Sequence, residues 1–500
     1  MRTNLILALI VLLGFGLRVA NMGEYGYFFD ENLTLSNAQG IAFSDVNKAP
    51  VFTTQSVWAN PIGLQRACVE DDSGNGILHT YFVSAWTALV GYSEGWARLH
   101  SVFWSLVAIF GTFLLARRLL PEQPAIALLA AAFMAGHPFF IEYSRILRAY
   151  PQAVALSLLA TVVLVRQLQA YAAQRLEKVY LYWILYGLLF AGVFGSHYLA
   201  CMVFVLHGLL VFLTFKLRVY ADAAAGVLLG AGLAAIWYFN GGQEGMGYMA
   251  LRNEGHLNLA LRDGYKAATP AYLSSGSFEL YAAFFGDFFK DLKLQFRYLI
   301  PLGLPFLGLL APVLTHLLPK SNPDANKWRF LCLAPIFAFT FAFALALKAG
   351  HIVSFSTHYS LWYLPYFAIL LGASLHLVYT NAWYTGIWKN AYTVLLILWI
   401  GLLVRSYGIV VTDAHYQRPA NPYPAMQADL LKIATLEDTI VYDHPRDAVV
   451  FNLFFPRENQ IPQKIVRKLS QDSSNYIRLI NKMGQEVRKY PTHSQKKFWY

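Results

Sequence analysis

Charge is what this chain has least of. Of its 500 residues only 13% are Asp, Glu, Lys or Arg, about half the ~25% of an average soluble domain. With 57% hydrophobic residues, 16% aromatic residues and a mean hydropathy of +0.42, an ordinary water-soluble globule is excluded and a polytopic membrane protein is expected. Cysteine is also scarce. Cys68, Cys201 and Cys332 lie far apart, the last two inside apolar runs where a thiol acts as a small hydrophobe, so neither a disulfide framework nor a cysteine metal motif is legible. There is no fixed-period repeat and no low-complexity tract. The opening "MRTNLILALIVLLGFGLRVANMG" lacks a small-x-small cleavage site before Arg18, so it reads as a retained first span rather than a signal peptide.

What charge there is has a pattern. The net +11 falls in short connections between apolar runs, which is how membrane topology is set, and implies no nucleic-acid partner. Runs of about spanning length occur at 3–21, 97–116, 123–141, 150–165, 180–196, 198–215, 222–239, 297–318, 329–347, 359–380 and 391–411, eleven in all. Only "GSH" separates the fifth from the sixth, so a single kinked helix is an alternative there. With the N-terminus inside, the inner connections carry Arg2, then Arg117 and Arg118, then Arg166, Arg175 and Lys178, then Lys216 and Arg218, then Lys320, Lys327 and Arg329, then Lys389. Every inner segment is basic, and the odd number of spans puts the C-terminus outside.

Three larger pieces then lie on the outer face: 22–96, 240–296 and 412–500. In the first, "ENLTLSNAQGIAF" and "ILHTYFVSAWTALVG" read as helices lying in the interface, as does "SFELYAAFFGDFFKDLKLQF" in the second. Residues 1–411 are expected to form one all-α transmembrane domain. Residues 412–500, with "LKIATLEDTIVYDHPRDAVVFNLFF" read as helix, strand, turn and helix, form a small soluble α/β appendage.

Ionisable groups gather on that outer side. Asp30 and Glu31 follow the first span in "GYFFDENLTLSNAQG". "HPFFIEYSRILRAYP" at 137–151 holds Glu142, Arg145 and Arg148, which share a face if the segment continues a helix. Plainer readings stand beside the functional ones. The two acids can begin the following helix, Glu142 with Arg145 can be a simple i, i+3 ion pair, and Arg18 can snorkel to the interface. Charge at membrane depth costs ~2.5–3.5 kcal/mol per residue on insertion scales, which favours function. His197 and His207 read as packed histidines rather than ligands, whereas His358 and Tyr359, at the outer start of the tenth span, can face a cavity.

These stretches resemble a known family. "LRVANMGEYGYFFDENLTLSNAQG" is similar to the first-span exit of the GT-C membrane glycosyltransferases, the class of the protein O-mannosyltransferases, lipid A aminoarabinose transferases and lipopolysaccharide-core glycosyltransferases. There an Arg precedes an Asp-Glu pair by about a dozen residues. "GWARLHSVFWSLVAIFGTFLLARRLL" resembles the second span and "HPFFIEYSRILRAYPQAVALSLLA" the Pro-to-Ser-Arg-x-x-Arg-x-Tyr connection. The likeness covers roughly residues 8–165 and is only topological beyond. It departs where family members begin a late outer helix with Arg-Tyr, since the matching place here reads His358, Tyr359 and Pro365.

The resemblance implies transfer of a monosaccharide from a polyprenyl-phosphate carrier to a hydroxyl of a glycan, lipid or protein, on the outer face of a bacterial inner membrane, with membrane lipids as surroundings. The chemistry needs a base for the acceptor proton, for which Asp30 is expected, with Glu31 orienting Asp30 or the acceptor. It also needs cations at the leaving phosphate, for which Arg145, Arg148 and Arg18 are expected; Glu142, His358 and Tyr359 are further candidates. Such a single displacement inverts the anomeric centre. The inner segments show no Gly-rich phosphate loop or Asp-x-Asp signature for a nucleotide sugar. No cofactor is expected, and a divalent metal is left open. The rival reading is a transporter or flippase of lipid-linked sugars, but that predicts ionisable residues near the midplane of two related halves, and no such symmetry is visible.

Overall fold

The computed structural model describes residues 2–27, 29–42, 61–72, 75–175, 178–212, 217–247, 361–380, 386–411 and, in the tail, parts of 426–442 together with 463–465 and 475–492. Among them are thirteen α-helices: α1 (Arg2–Val19), α2 (Phe29–Ala38), α3 (Pro61–Asp72), α4 (Ile77–Val90), α5 (Glu94–Leu119), α6 (Pro124–Gly136), α7 (Pro138–Ser144), α8 (Tyr150–Ala172), α9 (Val179–Ser196), α10 (Met202–Phe212), α11 (Leu217–Trp237), α12 (Leu364–Thr380) and α13 (Gly386–Val411). Six helical stretches are long and apolar enough to cross a membrane: α1, α5, α8, α9, residues 219–247 and residues 361–380. The α6–α7 pair, bent by 59°, makes a seventh if it is one span.

The expected spans at 3–21, 97–116, 150–165, 180–196, 222–239 and 359–380 coincide with these stretches. The one expected at 123–141 is instead a broken helix, because Pro138 has no N–H to continue the ladder. The described part of the sixth, 198–212, is a 3₁₀ turn over Tyr198–Cys201 followed by α10, separated from α9 by His197 in an extended conformation; residues 213–215 lie outside the described residues. The eleventh falls in α13, and those at 297–318 and 329–347 lie outside the described residues, as does the outer segment 277–296.

The chain divides into two compact units. One comprises 1–20, 101–240 and 249–415, the other 21–100, 241–248 and 416–500. In the first, α1 buries Leu7, Gly14 and Arg18, a seven- and four-residue spacing that makes one stripe, while Leu5, Leu9, Leu12 and Leu13 are exposed, as suits a face turned to lipid. Helices α9 and α11 touch backbone to backbone. A Cβ on Gly187 would lie 2.6 Å from the Gly226 carbonyl oxygen, and one on Gly230 would lie 2.6 Å from that of Gly187. Close backbone approach through small residues is how helices associate where lipid removes the hydrophobic drive.

A buried polar chain ties four helices of this unit together. Thr161 Oγ1 of α8 lies 2.8 Å from His207 Nε2 of α10 and 2.7 Å from the Tyr366 hydroxyl of α12, and the Tyr186 hydroxyl of α9 lies 3.0 Å from His207 Nδ1. Both imidazole nitrogens are engaged, so His207 is the packed histidine that the sequence suggests.

The second unit holds α2, α3, α4 and the tail. Helices α2 and α4 stand where two helices are expected between the first two spans, although α2 is buried on every side from Glu31 on, whereas α3 is not anticipated by the sequence pattern. The tail forms a four-stranded sheet in the order β2-β1-β3-β4 from β1 (Thr439–Tyr442), β2 (Gln463–Ile465), β3 (Asn475–Ile480) and β4 (Glu486–Thr492), with only the β1–β2 pair parallel. The expected strand at "TIVY" is β1; the turn and second helix expected after it lie outside the described residues, and the β3–β4 hairpin is not anticipated by the sequence. The Gly187 seam yields a direct test. Gly230→Leu should lower the thermal midpoint by overpacking worth about 1–3 kcal/mol. Gly232→Ala, whose added methyl would meet nothing within 4 Å, should leave the midpoint unchanged or higher, as measured by thermal unfolding of the purified chain.

Candidate functional site

The second unit carries the Asp-Glu pair in the first turn of α2, where acidic side chains face the positive end of the helix dipole. The two acids have different surroundings. Asp30 is half-buried, with its backbone carbonyl accepting from Thr34 Oγ1 at 3.0 Å. Glu31 is fully buried and gripped bidentately by Arg98, whose Nε and Nη2 donate to its two oxygens at 2.8 and 2.9 Å. The remaining Arg98 donors go to backbone carbonyls of the segment between α1 and α2: Nη1 to Met22 at 2.7 Å and Tyr25 at 3.0 Å, Nη2 to Gly26 at 2.9 Å. A guanidinium has five N–H groups, and here each has an acceptor.

That segment is anchored elsewhere too. The Tyr27 ring lies 5.2 Å below the Arg98 guanidinium, and its hydroxyl donates to the Tyr92 carbonyl at 2.5 Å. Burial, with Glu94 close by, holds this phenol well above the ordinary tyrosine range, so it remains a donor. Gly23 also packs against Gly95, where an added Cβ would stand in ordinary contact, 3.6 Å from the Gly95 Cα. Asp30 therefore starts its helix at the end of a loop whose carbonyls are fixed one after another by a single side chain.

The first unit carries the arginines. Pro138 frees the carbonyl four residues before it, that of Met134, and Arg18 supplies the missing donor: Nη2 reaches Met134 O at 3.2 Å, while Nη1 reaches Ala135 O at 2.8 Å and Gly14 O at 2.9 Å. Arg145 returns the contact, with Nη1 donating to the Arg18 carbonyl at 3.3 Å and to the Ala20 carbonyl. The Tyr407 hydroxyl of α13 donates to Leu17 O at 3.3 Å. Arg18 thus satisfies carbonyls at the C-terminal end of α6, and Arg145 those at the end of α1, where a helix leaves them open.

The sequence places Glu142, Arg145 and Arg148 on one face only if the helix continues through them, and it does not. Helix α7 ends at Ser144, residues 145–149 are turn and bend, and α8 begins at Tyr150. Glu142 and Arg148 are half-buried and Arg145 is buried. The Arg148 carbonyl accepts from Ser101 Oγ at 3.4 Å. His358 and Tyr359 lie outside the described residues.

No protein-family model matches the chain, and neither does any curated protein. Solved structures do match. ArnT from Cupriavidus metallidurans in the apo state is similar over 93% of this chain and 86% of its own, with a TM-score of 0.53 at 13% identity. ArnT bound to undecaprenyl phosphate gives 0.50 at 14% over the same shares. The archaeal oligosaccharyltransferase AglB from Archaeoglobus fulgidus, in complex with an inhibitory peptide and a dolichol-phosphate, gives 0.51 at 10% over 94% of this chain. The fold is one this chain shares with ArnT and AglB. This chain spans only about 62% of the length of that AglB chain, and 57% in the complex with Zn and sulfate. Among the described residues no three His, Cys, Asp or Glu side chains group closely enough to hold a metal ion.

Within this fold, Arg98 is the residue that sequence reasoning passes over. Its signal is an arginine one turn into an apolar helix, in the "GWARLHS" that carries part of the resemblance. The pair it forms predicts how Glu31 behaves. Glu31→Gln leaves a buried guanidinium without its counter-charge and should destabilise by about 3–5 kcal/mol. Glu31→Gln with Arg98→Met should recover part of that loss, a coupling readable in a double-mutant cycle of thermal midpoints.

Proposed function

We propose that this chain is an inverting glycosyltransferase that moves a monosaccharide from a polyprenyl-phosphate donor to an acceptor hydroxyl. The observation that carries the reading is the GT-C fold over 93% of the chain, with Asp30 opening the helix that follows the first span, where the resemblance in sequence expects the base. ArnT in its complex with undecaprenyl phosphate and AglB in its complex with a dolichol-phosphate support a lipid-linked donor here. The basic inner connections support an outward-facing site, and we assign the protein to a bacterial inner membrane with that site on the periplasmic side.

In the proposed reaction the acceptor oxygen attacks the anomeric carbon as its proton passes to the Asp30 carboxylate. The bond between that carbon and the phosphate oxygen breaks, and its electron pair leaves with the polyprenyl phosphate. The departing group is already a stable anion and needs no acid; it needs positive charge at its oxygens, which we assign to Arg148 with Arg145. The sequence suggests Arg18 beside them. With two of its N–H groups on the carbonyls at the end of α6 and a third on the Gly14 carbonyl of its own helix, it is better assigned as the support that fixes the bend before Glu142, Arg145 and Arg148. Glu31 is assigned to hold Asp30 rather than the acceptor.

Purified protein should consume a polyprenyl-phosphate sugar and ignore the corresponding nucleotide sugar; efficient direct use of the nucleotide sugar would sink the mechanism. Asp30→Asn keeps the shape of the side chain but cannot take a proton, so kcat should fall by ~10²–10⁴ while donor binding survives. Arg148→Ala should weaken donor binding and slow the chemical step together, because the same guanidinium meets the phosphate before and during bond breaking. Near-normal turnover by folded Asp30→Asn would reduce the acidic pair to a helix start and move the search for a base to Glu142.

A further inference from the structure

Helix α2 is buried from Glu31 to its end, as is Gln39 just beyond, yet the stretch is rich in uncharged polar side chains. Leu33, Leu35 and Ala38 fill apolar space as expected, and Thr34 and Ser36 return their hydroxyls to the backbone carbonyls of Asp30 and Leu33. The carboxamides do not. Asn37 is fully buried and Gln39 nearly so, and neither the oxygen nor the nitrogen of either amide has a hydrogen-bond partner among the described residues; the same is true of Asn32 Oδ1. Buried amide groups are almost always paired, and apolar side chains of similar shape would fill the same places at less cost.

One of these amides stands on the face of the proposed base. Asn37 follows Asp30 by seven residues, two turns later on the same side of the helix and ~10 Å along its axis. We propose that Asn37 binds hydroxyl groups of a carbohydrate acceptor whose reacting hydroxyl is presented to Asp30; this rests on the reading of Asp30 as the base. A carboxamide offers a donor and an acceptor side by side, which is what neighbouring hydroxyls on a sugar ring require. Unmet donors and acceptors concentrated within one short, uncharged stretch suit a polyhydroxylated ring better than an extended peptide, which presents its backbone groups singly along a longer path.

The test is binding, independent of turnover. The full-length protein, purified in nanodiscs so that no sugar-headed detergent competes, is titrated by saturation-transfer NMR with methyl glycosides of glucose, galactose, mannose and arabinose, and with the peptide acetyl-Ala-Thr-Ala-amide. At least one glycoside should bind, and Asn37→Leu should weaken it tenfold or more while keeping or raising the thermal midpoint, since an unpaired amide has been replaced by a shape-matched apolar group. Gln39→Leu, two residues on and turned away from Asn37, should leave it unchanged, and Asp30→Asn should still bind it. Glycoside binding unchanged in Asn37→Leu overturns the proposal and leaves the amide facing water or protein. So does binding of the peptide alone, which would make the acceptor a polypeptide. Because Asp30→Asn is judged by turnover and Asn37→Leu by binding, failure of the base and failure of the carbohydrate subsite are told apart.

Discussion

One buried guanidinium organises the exit from the first span. Arg98 spends two donors on Glu31 and three on the carbonyls of Met22, Tyr25 and Gly26, so a segment with no regular secondary structure of its own is held by a rigid planar fork. A lysine, with a single point of charge on a flexible stem, could not hold four groups in one plane. The arrangement is all-or-none: complete, it fixes where α2 starts; with Glu31 removed, the charge is left buried among neutral carbonyls. The position of Asp30 follows from it, because Asp30 is the residue immediately before the one that Arg98 grips.

The same chemistry is used differently in the other unit. There Arg18 and Arg145 satisfy the backbone carbonyls left open where α6 and α1 end. The bend at Pro138 needs this, since a proline inside a helix orphans a carbonyl where apolar surroundings offer no water. Arginine thus does two jobs, bracing the loop that leads to Asp30 and closing the break that leads to Arg148. In the proposed mechanism the arginine assigned first to substrate is Arg148, which sits in the irregular turn beyond that break.

Legibility in the sequence varied with how local the determining physics is. Asp30 in the first turn of a helix and the short helix that follows Gly76 both depend on neighbours a few residues away. The break at Pro138 has an equally local cause, yet the apolar run continues through it and so reads as one span. Helix α3 was not legible, because its buried Leu64, Ala67 and Cys68 mix with acids in a pattern whose mean hydropathy is unremarkable. The three-residue step from Glu142 to Arg148 suggested a helical face that is absent, since the helix stops at Ser144 and a periodic spacing survives whether or not the backbone stays helical.

By itself the sequence determined the class and the grammar: a chain poor in charge, with apolar runs that become helices of membrane length and basic residues gathered in the short connections between them. Those follow from transfer energies that each residue carries with it wherever it lies. Only the tertiary structure decided what each charge is for. Glu31 and Asp30 are adjacent and chemically alike, yet one is sealed against an arginine sixty-seven residues away and the other is left half-buried at the helix start. That difference belongs to the packing of distant segments, which no local pattern of residues encodes.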